Sequence, residues 1–244
     1  GGGSRGWAWN LMSDLAQEKS LSGEVCLYDI DLEAAKANEI IGNKIREVHK
    51  DADNWYYTTA PTLCEALTGA NFIIISILPG TFDEMRSDVH APEEFGIYQS
   101  VGDTTGPGGI IRALRTVPMY EVIAAAIRDY APDAWVINYT NPMAMCVRTL
   151  YRVFPKIKAF GCCHEVFGTQ KFLAKVMQKA LGCEEIDRSE IKTNVIGTNH
   201  FTWLTSAHFR NHDIFPYYEK FCEEYGEKGF TEGNDTNWLN RVFQ

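Results

Sequence analysis

Residues 1–16 read GGGSRGWAWNLMSDLA, and the fold turns on how the first six are taken. Gly1, Gly3 and Gly6 stand in the spacing G-x-G-x-x-G, and a helical pattern follows at once. In a dinucleotide-binding turn such glycines permit a tight bend and close approach of the backbone to a pyrophosphate. The helix start adds N–H groups and the positive end of a dipole. The same letters also suit a flexible linker, and a fingerprint of this kind ordinarily follows a strand, which is missing before Gly1. Two features further along favour the dinucleotide reading. Asp29 ends a strand over residues 24–30 (EVCLYDI), about 20 residues on, where a carboxylate receives a ribose hydroxyl pair and favours NAD over NADP. Residues 71–78 (NFIIISIL) form a continuous apolar run expected to be buried on both faces, with Ser76 and Pro79 near its carboxyl end.

The rest of the chain alternates in the same way. Helical spacing of Leu32, Ala35, Ile40, Ile41 and Ile45 covers residues 31–50, and a long amphipathic helix is expected over 111–130. Residues 134–138 (AWVIN) and 157–161 are strands flanking a helix over 142–154 that Pro142 opens. Strand–helix alternation implies right-handed crossovers and a parallel sheet. The expected class is α/β: a Rossmann-like, doubly wound parallel sheet over 1–160, as in lactate and malate dehydrogenases. An α+β metal and substrate region begins at 161–244, where residues 190–197 and 200–209 read as a meander. The segment 91–109 is expected to be a long irregular loop. Its four glycines and a proline within the last eleven residues (QSVGDTTGPGG) favour a shaped, functional backbone.

Composition excludes several classes. The 244 residues are 45% hydrophobic and 23% charged, enough apolar material for a large core. Thirty-two acidic residues against 23 basic ones give a net charge of −9, which disfavours nucleic acid and anionic membranes as partners. No run approaches the roughly 20 apolar residues of a bilayer span. Seven cysteines, an odd number, argue for free thiols in a reducing cytoplasm.

Three polar constellations sit at strand ends. Asn138-Tyr139-Thr140-Asn141-Pro142 lies at the carboxyl edge of its strand, where open α/β sheets bind ligands; Thr140 or Asn141 would equally serve as a helix cap. Gly161-Cys162-Cys163-His164-Glu165 leaves a strand and enters a helix, a position that favours a thiolate ligand but also accommodates an ordinary core cysteine. His200, in IGTNHFTWL, is either a strand histidine or the partner of that thiolate in an open metal site. Arg86 and Arg112 are candidate anion contacts.

Taken in order, GGGS, LYDID, ISILPG, GDTTGPGG, NYTNPM, GCCHEV and TNHF resemble the NAD- and divalent-metal-dependent glycosidases of glycoside hydrolase family 4 over nearly the whole chain. The resemblance implies NAD bound by Gly1, Gly3, Ser4 and Asp29, and Mn²⁺ held by Cys163 and His200. It implies sugar contacts from Asn141 and Arg86, a proton donor in His164, and in Asp103 a carboxylate that raises the basicity of the catalytic base. Glu165 is expected to favour the protonated imidazole of His164. Cys-His-Glu-Val resembles the α-galacturonidase branch, with α-galactosidase and α-glucosidase relatives as neighbours. The implied reaction oxidises C3 of an α-linked, unphosphorylated galacturonide with NAD⁺, removes the C2 proton with help from the metal, eliminates the aglycone, adds water and returns the hydride. The resemblance also implies a homodimer or homotetramer, and places the general base beyond residue 244. Rival readings are a 2-hydroxy-acid dehydrogenase with Arg112 and Arg115 clamping a carboxylate, or an NAD-binding redox sensor.

Overall fold

A computed structural model describes residues 1–48, 54–99, 101–183, 185–227 and 229. They divide into two compact units: Gly1–Ser87 with Ile110–Cys162, and Asp88–Gly109 with the chain from Cys163.

In the first unit, α1 (Trp7–Gln17), β1 (Gly23–Leu27), α2 (Leu32–Val48) and β2 (Trp55–Thr59) follow one another. Asp31 starts α2 by accepting the Ala34 N–H at 3.1 Å. The last two positions of the helix expected over 31–50 lie outside the described residues. β1 and β2 pair in parallel from Gly23↔Trp55 to Leu27↔Thr59. Met12, Leu27, Ala35 and Tyr57 make the small core between these four elements. A short α3 (Leu63–Leu67), capped by the Thr62 hydroxyl, leads into β3 (Phe72–Ile75) and α4 (Phe82–His90). The remaining elements of the unit are α5 (Gly106–Tyr130), whose first turn lies in the other unit, β4 (Trp135–Asn138), α6 (Met143–Val153) and β5 (Lys158–Gly161).

β3, β4 and β5 form a second parallel sheet in that order, in register from Phe72↔Trp135↔Lys158 to Ile75↔Asn138↔Gly161. The parallel strands thus fall into two hydrogen-bonded groups, and Gly1–Gly2 reaches the ends of both. The Gly2 N–H donates to the Tyr28 carbonyl at 2.8 Å and the Gly1 nitrogen meets the Ser76 carbonyl.

The run over 71–78 departs from expectation in its burial. Ile75, Val136 and Ala159 pack with Tyr120, Ala124 and Ile127 of α5 and with Cys146 and Leu150 of α6, all in one cluster. Phe72 and Ile74 point to the other face, where they are 68% and 44% exposed beside Trp135 and Phe160 at 48% and 42%. Among the described residues, α5 and α6 both pack on the same face of this sheet.

The GPGG stretch departs from expectation too. Residues 91–95 form a single 3₁₀ turn and α5 begins at Gly106, five residues earlier than the periodicity predicts. Pro107 is tolerated because the first N–H groups of a helix have no intrahelical partner. The glycines answer to close approach: a Cβ on Gly108 would stand 2.2 Å from the Gly102 carbonyl oxygen and 2.4 Å from that of Asp88.

In the second unit, α7 (Glu165–Leu181) ends at Gly182 in the left-handed conformation. An antiparallel sheet follows: β6 (Ile191–Thr198), β7 (Phe201–Phe209) and β8 (His212–Asp213), then α8 (Phe215–Tyr225). Leu173 and Met177 of α7 pack on Ile191, Ala207, Phe209 and Ile214. The meander expected after residue 185 is therefore present. Among the described residues no helix is long and apolar enough to cross a membrane.

Candidate active site

The glycine loop of the first unit is bound on both sides. Asp29, half-buried just past β1, accepts the Gly3 N–H through Oδ2 at 2.9 Å and the Asp31 N–H through Oδ1 at 3.1 Å. A Cβ on Gly1 would fall 2.1 Å from Asp29 Oδ2, and one on Gly3 would fall 2.7 Å from Ala34 Cβ. Any side chain at either position would fill the space in front of the carboxylate, so the glycines keep open the cradle that a dinucleotide needs. Ser4 turns its hydroxyl to the loop itself, accepting from the Trp7 N–H at 3.1 Å.

Sequence reasoning missed the side chain that fixes the loop's shape. Asn38, on α2 and only 3% exposed, donates through Nδ2 to the carbonyls of Gly2 (2.7 Å) and Ser4 (3.0 Å). Its Oδ1 accepts the Trp9 indole N–H at 2.8 Å. The signal was available: Ala35, Asn38 and Gly42 occupy the buried positions of α2, and an amide on that stripe calls for a polar partner.

At the end of β4 the NYTNP segment divides its labour. Asn138, fully buried, accepts the Tyr120 hydroxyl and the Thr140 N–H and donates to the Thr140 carbonyl. Thr140 accepts the Ile77 N–H at 2.9 Å, joining the end of β4 to the segment after β3. Neither Thr140 nor Asn141 caps α6, whose N-cap is Pro142. The Asn141–Pro142 peptide is cis, and Asn141 stays half-buried at the strand's carboxyl edge. Burial raises the Tyr120 hydroxyl far above its ordinary range and pushes the adjoining Cys146 thiol up to about 12, so both are neutral, packed groups. Ser76 and Pro79 follow β3, Pro79 buried, and Arg86 lies exposed on α4. Arg112 is 5% exposed with Nη1 3.7 Å from Met85 Sδ.

The second unit holds the other cluster. Cys163 lies in the short link between β5 and α7, and its Sγ lies 3.3 Å from His200 Nε2. The Glu165 N–H at the start of α7 points to the same sulfur at 3.4 Å. Cys163, Glu165 and His200 each offer a ligand atom, all within 4.8 Å of one another. A soft sulfur, an imidazole nitrogen and a carboxylate oxygen form a donor set suited to a divalent transition ion. His200 sits in the two-residue turn between β6 and β7 with φ of 62°, a left-handed conformation uncommon for a residue with a side chain. The Glu165 carboxylate, expected to serve His164, instead accepts the His200 N–H at 2.9 Å and the Thr202 hydroxyl at 2.8 Å. His164 is the exposed N-cap of α7, and Asp103 lies half-buried in the turn before α5.

A half-fold with a glycine loop and paired carboxylate, followed by an antiparallel unit carrying a Cys–His corner, is the class of arrangement suited to a dinucleotide and a divalent ion. The chain belongs to glycosyl hydrolase family 4, whose family model matches residues 1–179. It is 61% identical over its whole length to an α-galacturonidase of Thermoanaerobacterium saccharolyticum, of which it covers 52%. Among solved structures, a Bacillus subtilis protein described as a glucosidase superposes with a TM-score of 0.88 at 56% identity, over 96% of this chain and 53% of that one. A gut-microbial 6-phospho-α-glucosidase solved with NAD and Mn²⁺ gives a TM-score of 0.80 at 24% identity, over 98% of this chain and 54% of that one. A lactate dehydrogenase of Eimeria maxima, at 16% identity and a TM-score of 0.57 over 90% of this chain and 58% of that one, shares the fold alone. The chain spans about half the length of the curated relatives it matches, 52% of the first.

Proposed function

We propose that this chain carries the NAD-binding and metal-binding halves of a glycosidase acting on α-linked, unphosphorylated galacturonides. The observation that carries the reading is the 3.3 Å approach of Cys163 Sγ to His200 Nε2 across 37 residues of sequence. Neither residue lies in the apolar core, and a sulfur and an imidazole converging from separate elements suit two ligands of one cation. The high identity to α-galacturonidases supports the substrate class, and the Cys-His-Glu order supports the branch.

The roles divide by unit. Residues up to about 160 hold NAD through Gly1, Gly3, Ser4, Asp29 and the Ser76–Pro79 edge. The chain from 161 holds the Mn²⁺ ion through Cys163 and His200. When bound, these groups supply reversible oxidation at C3 and the Lewis acidity that makes the C2 proton removable. Asn141 and Arg86 bind the sugar, the amide through its hydroxyls and the guanidinium through its negative charge. His164, exposed at a helix start, hands a proton from its imidazolium to the departing oxygen. Asp103 acts on the general base through its charge. All seven cysteines are free thiols, in keeping with a reducing cytoplasm. A homodimer or homotetramer is the assembly the family resemblance implies.

The test is cleavage of p-nitrophenyl α-galacturonide by protein carrying this sequence, with NAD⁺ and Mn²⁺ supplied together, singly or not at all. Turnover is expected only with both, and a C2-deuterated substrate is expected to react more slowly. Undiminished cleavage after removal of both would reject the mechanism; accumulation of NADH with a hydroxy acid would favour a dehydrogenase.

A further inference from the structure

His200 presents a problem in holding its ring. A metal-ligating histidine usually fixes its imidazole by donating the second ring N–H to a carboxylate or carbonyl. Here the Nδ1 atom of His200 is buried and, among the described residues, has no hydrogen-bond partner. The residue also sits at φ 62°, in a turn whose neighbour Gly197 is at φ 113°. The ladder of β6 and β7 closes the hairpin up to Thr198↔Phe201, but the ring's second nitrogen gives the turn no anchor.

We propose that Glu165 is the positioning residue of the metal corner, a carboxylate latch that grips the backbone of the β6–β7 turn and so sets His200 opposite Cys163. This rests on the reading of Cys163 and His200 as metal ligands. Both carboxylate oxygens are engaged with the turn: Oε1 accepts the Thr202 hydroxyl at 2.8 Å, and Oε2 accepts the His200 N–H at 2.9 Å with the Asn199 amide at 3.5 Å. Glu165 begins α7, where a negative charge is favoured by the helix dipole. Its own N–H points to Cys163 Sγ at 3.4 Å. One residue therefore contacts both ligands, the thiol through its backbone and the histidine through its side chain. The competing role is direct ligation by the carboxylate, since Glu165 lies within ligand distance of the other two. The latch is favoured because both oxygens already accept from the turn at hydrogen-bond distance, 2.8 and 2.9 Å.

The two roles separate on Glu165→Gln. A carboxamide can keep the latch, its oxygen on the His200 N–H and its NH₂ donating to Thr202 Oγ1, but it is a poor metal ligand. Glu165→Ala removes both roles. The first readout is amide hydrogen exchange in metal-free protein. Exchange at His200 is expected to accelerate about tenfold or more in Glu165→Ala, to stay within about threefold of the parent in Glu165→Gln, and to be intermediate in Thr202→Val. The second is a Co²⁺ titration followed by the sulfur-to-cobalt charge-transfer band. Affinity is expected to fall by about tenfold or more in Glu165→Ala and to return to within about threefold of the parent in Glu165→Gln. Unchanged exchange in Glu165→Ala overturns the latch. Equal loss of Co²⁺ in the two Glu165 variants also overturns it, assigning the carboxylate to the metal. A parent protein with no charge-transfer band rejects the metal reading itself, while the exchange experiment still decides the latch.

Discussion

The two functional loops of this chain are each tied down by a side chain on a helix distant in sequence, Asn38 on α2 and Glu165 on α7, but by side chains of opposite character. In the first unit Asn38 gives two N–H bonds to the carbonyls of Gly2 and Ser4. In the second, Glu165 receives bonds from the His200 N–H and the Thr202 hydroxyl. The glycine loop's own N–H groups are already spent, Gly2 on the Tyr28 carbonyl and Gly3 on Asp29, so the anchor that remains to be found is for its carbonyls and must be a donor. A turn meant to present a metal ligand has no such need, and an anionic acceptor beside it adds favourable charge next to a cation. The backbone groups that each loop leaves unpaired thus dictate the chemistry of its anchor.

The largest effect that would break this contrast lies in the metal corner. Cys163→Ala or His200→Ala is expected to abolish Mn²⁺ binding by calorimetry, a loss of at least about a hundredfold, while NAD⁺ binding is retained. Next comes the charge of the first anchor. Asn38→Asp replaces two donors with a carboxylate facing carbonyl oxygens and is expected to weaken NAD⁺ binding and lower thermal stability by about 3 kcal/mol. Asn38→Ala, which only strands the loop's carbonyls and the Trp9 indole, should cost about 1–3 kcal/mol. If Asn38→Asp were as stable as the parent, the donor argument would fail. Gly3→Ala sharpens the comparison from the loop's side. Its Cβ would press on Ala34 at 2.7 Å, and a loss of about 1–3 kcal/mol is expected by denaturant unfolding, with weaker NAD⁺ binding.

The smallest effect concerns a cysteine that serves neither ligand. Burial raises the Cys146 thiol from its ordinary 9.0 to about 12. The unfolded chain therefore loses this proton first as pH rises. Stability from this group is complete below about pH 9 and declines above it by up to about 1.4 kcal/mol per pH unit until the folded thiol also ionises. Cys146→Ala should flatten that part of the alkaline limb, and Cys146 should resist alkylation at neutral pH.

Much of this was legible in the sequence because its signals are local. The apolar runs of β3 and β4, the spacing from Gly1 to Asp29, and Cys163 at a strand-to-helix junction are all visible within short windows. His200 was readable only with the family pattern in hand, since a lone histidine between strands carries no spacing to a sulfur 37 positions away. Asn38 and the role of Glu165 were only partly legible: a buried amide on α2 calls for a polar partner, but each side chain acts on backbone atoms more than 30 residues distant. The helix over 106–110 was hidden because glycine and proline read as breakers, although at a first turn proline costs nothing and the glycines answer to a neighbouring carbonyl.

The bare side of the β3–β4–β5 sheet has a practical corollary. Phe72, Ile74, Trp135 and Phe160 present a contiguous oily wall to water, at 68%, 44%, 48% and 42% exposure. Purified by itself, this polypeptide should light up environment-sensitive dyes such as ANS and self-associate as salt rises, even while its ligand-binding loops remain correctly formed.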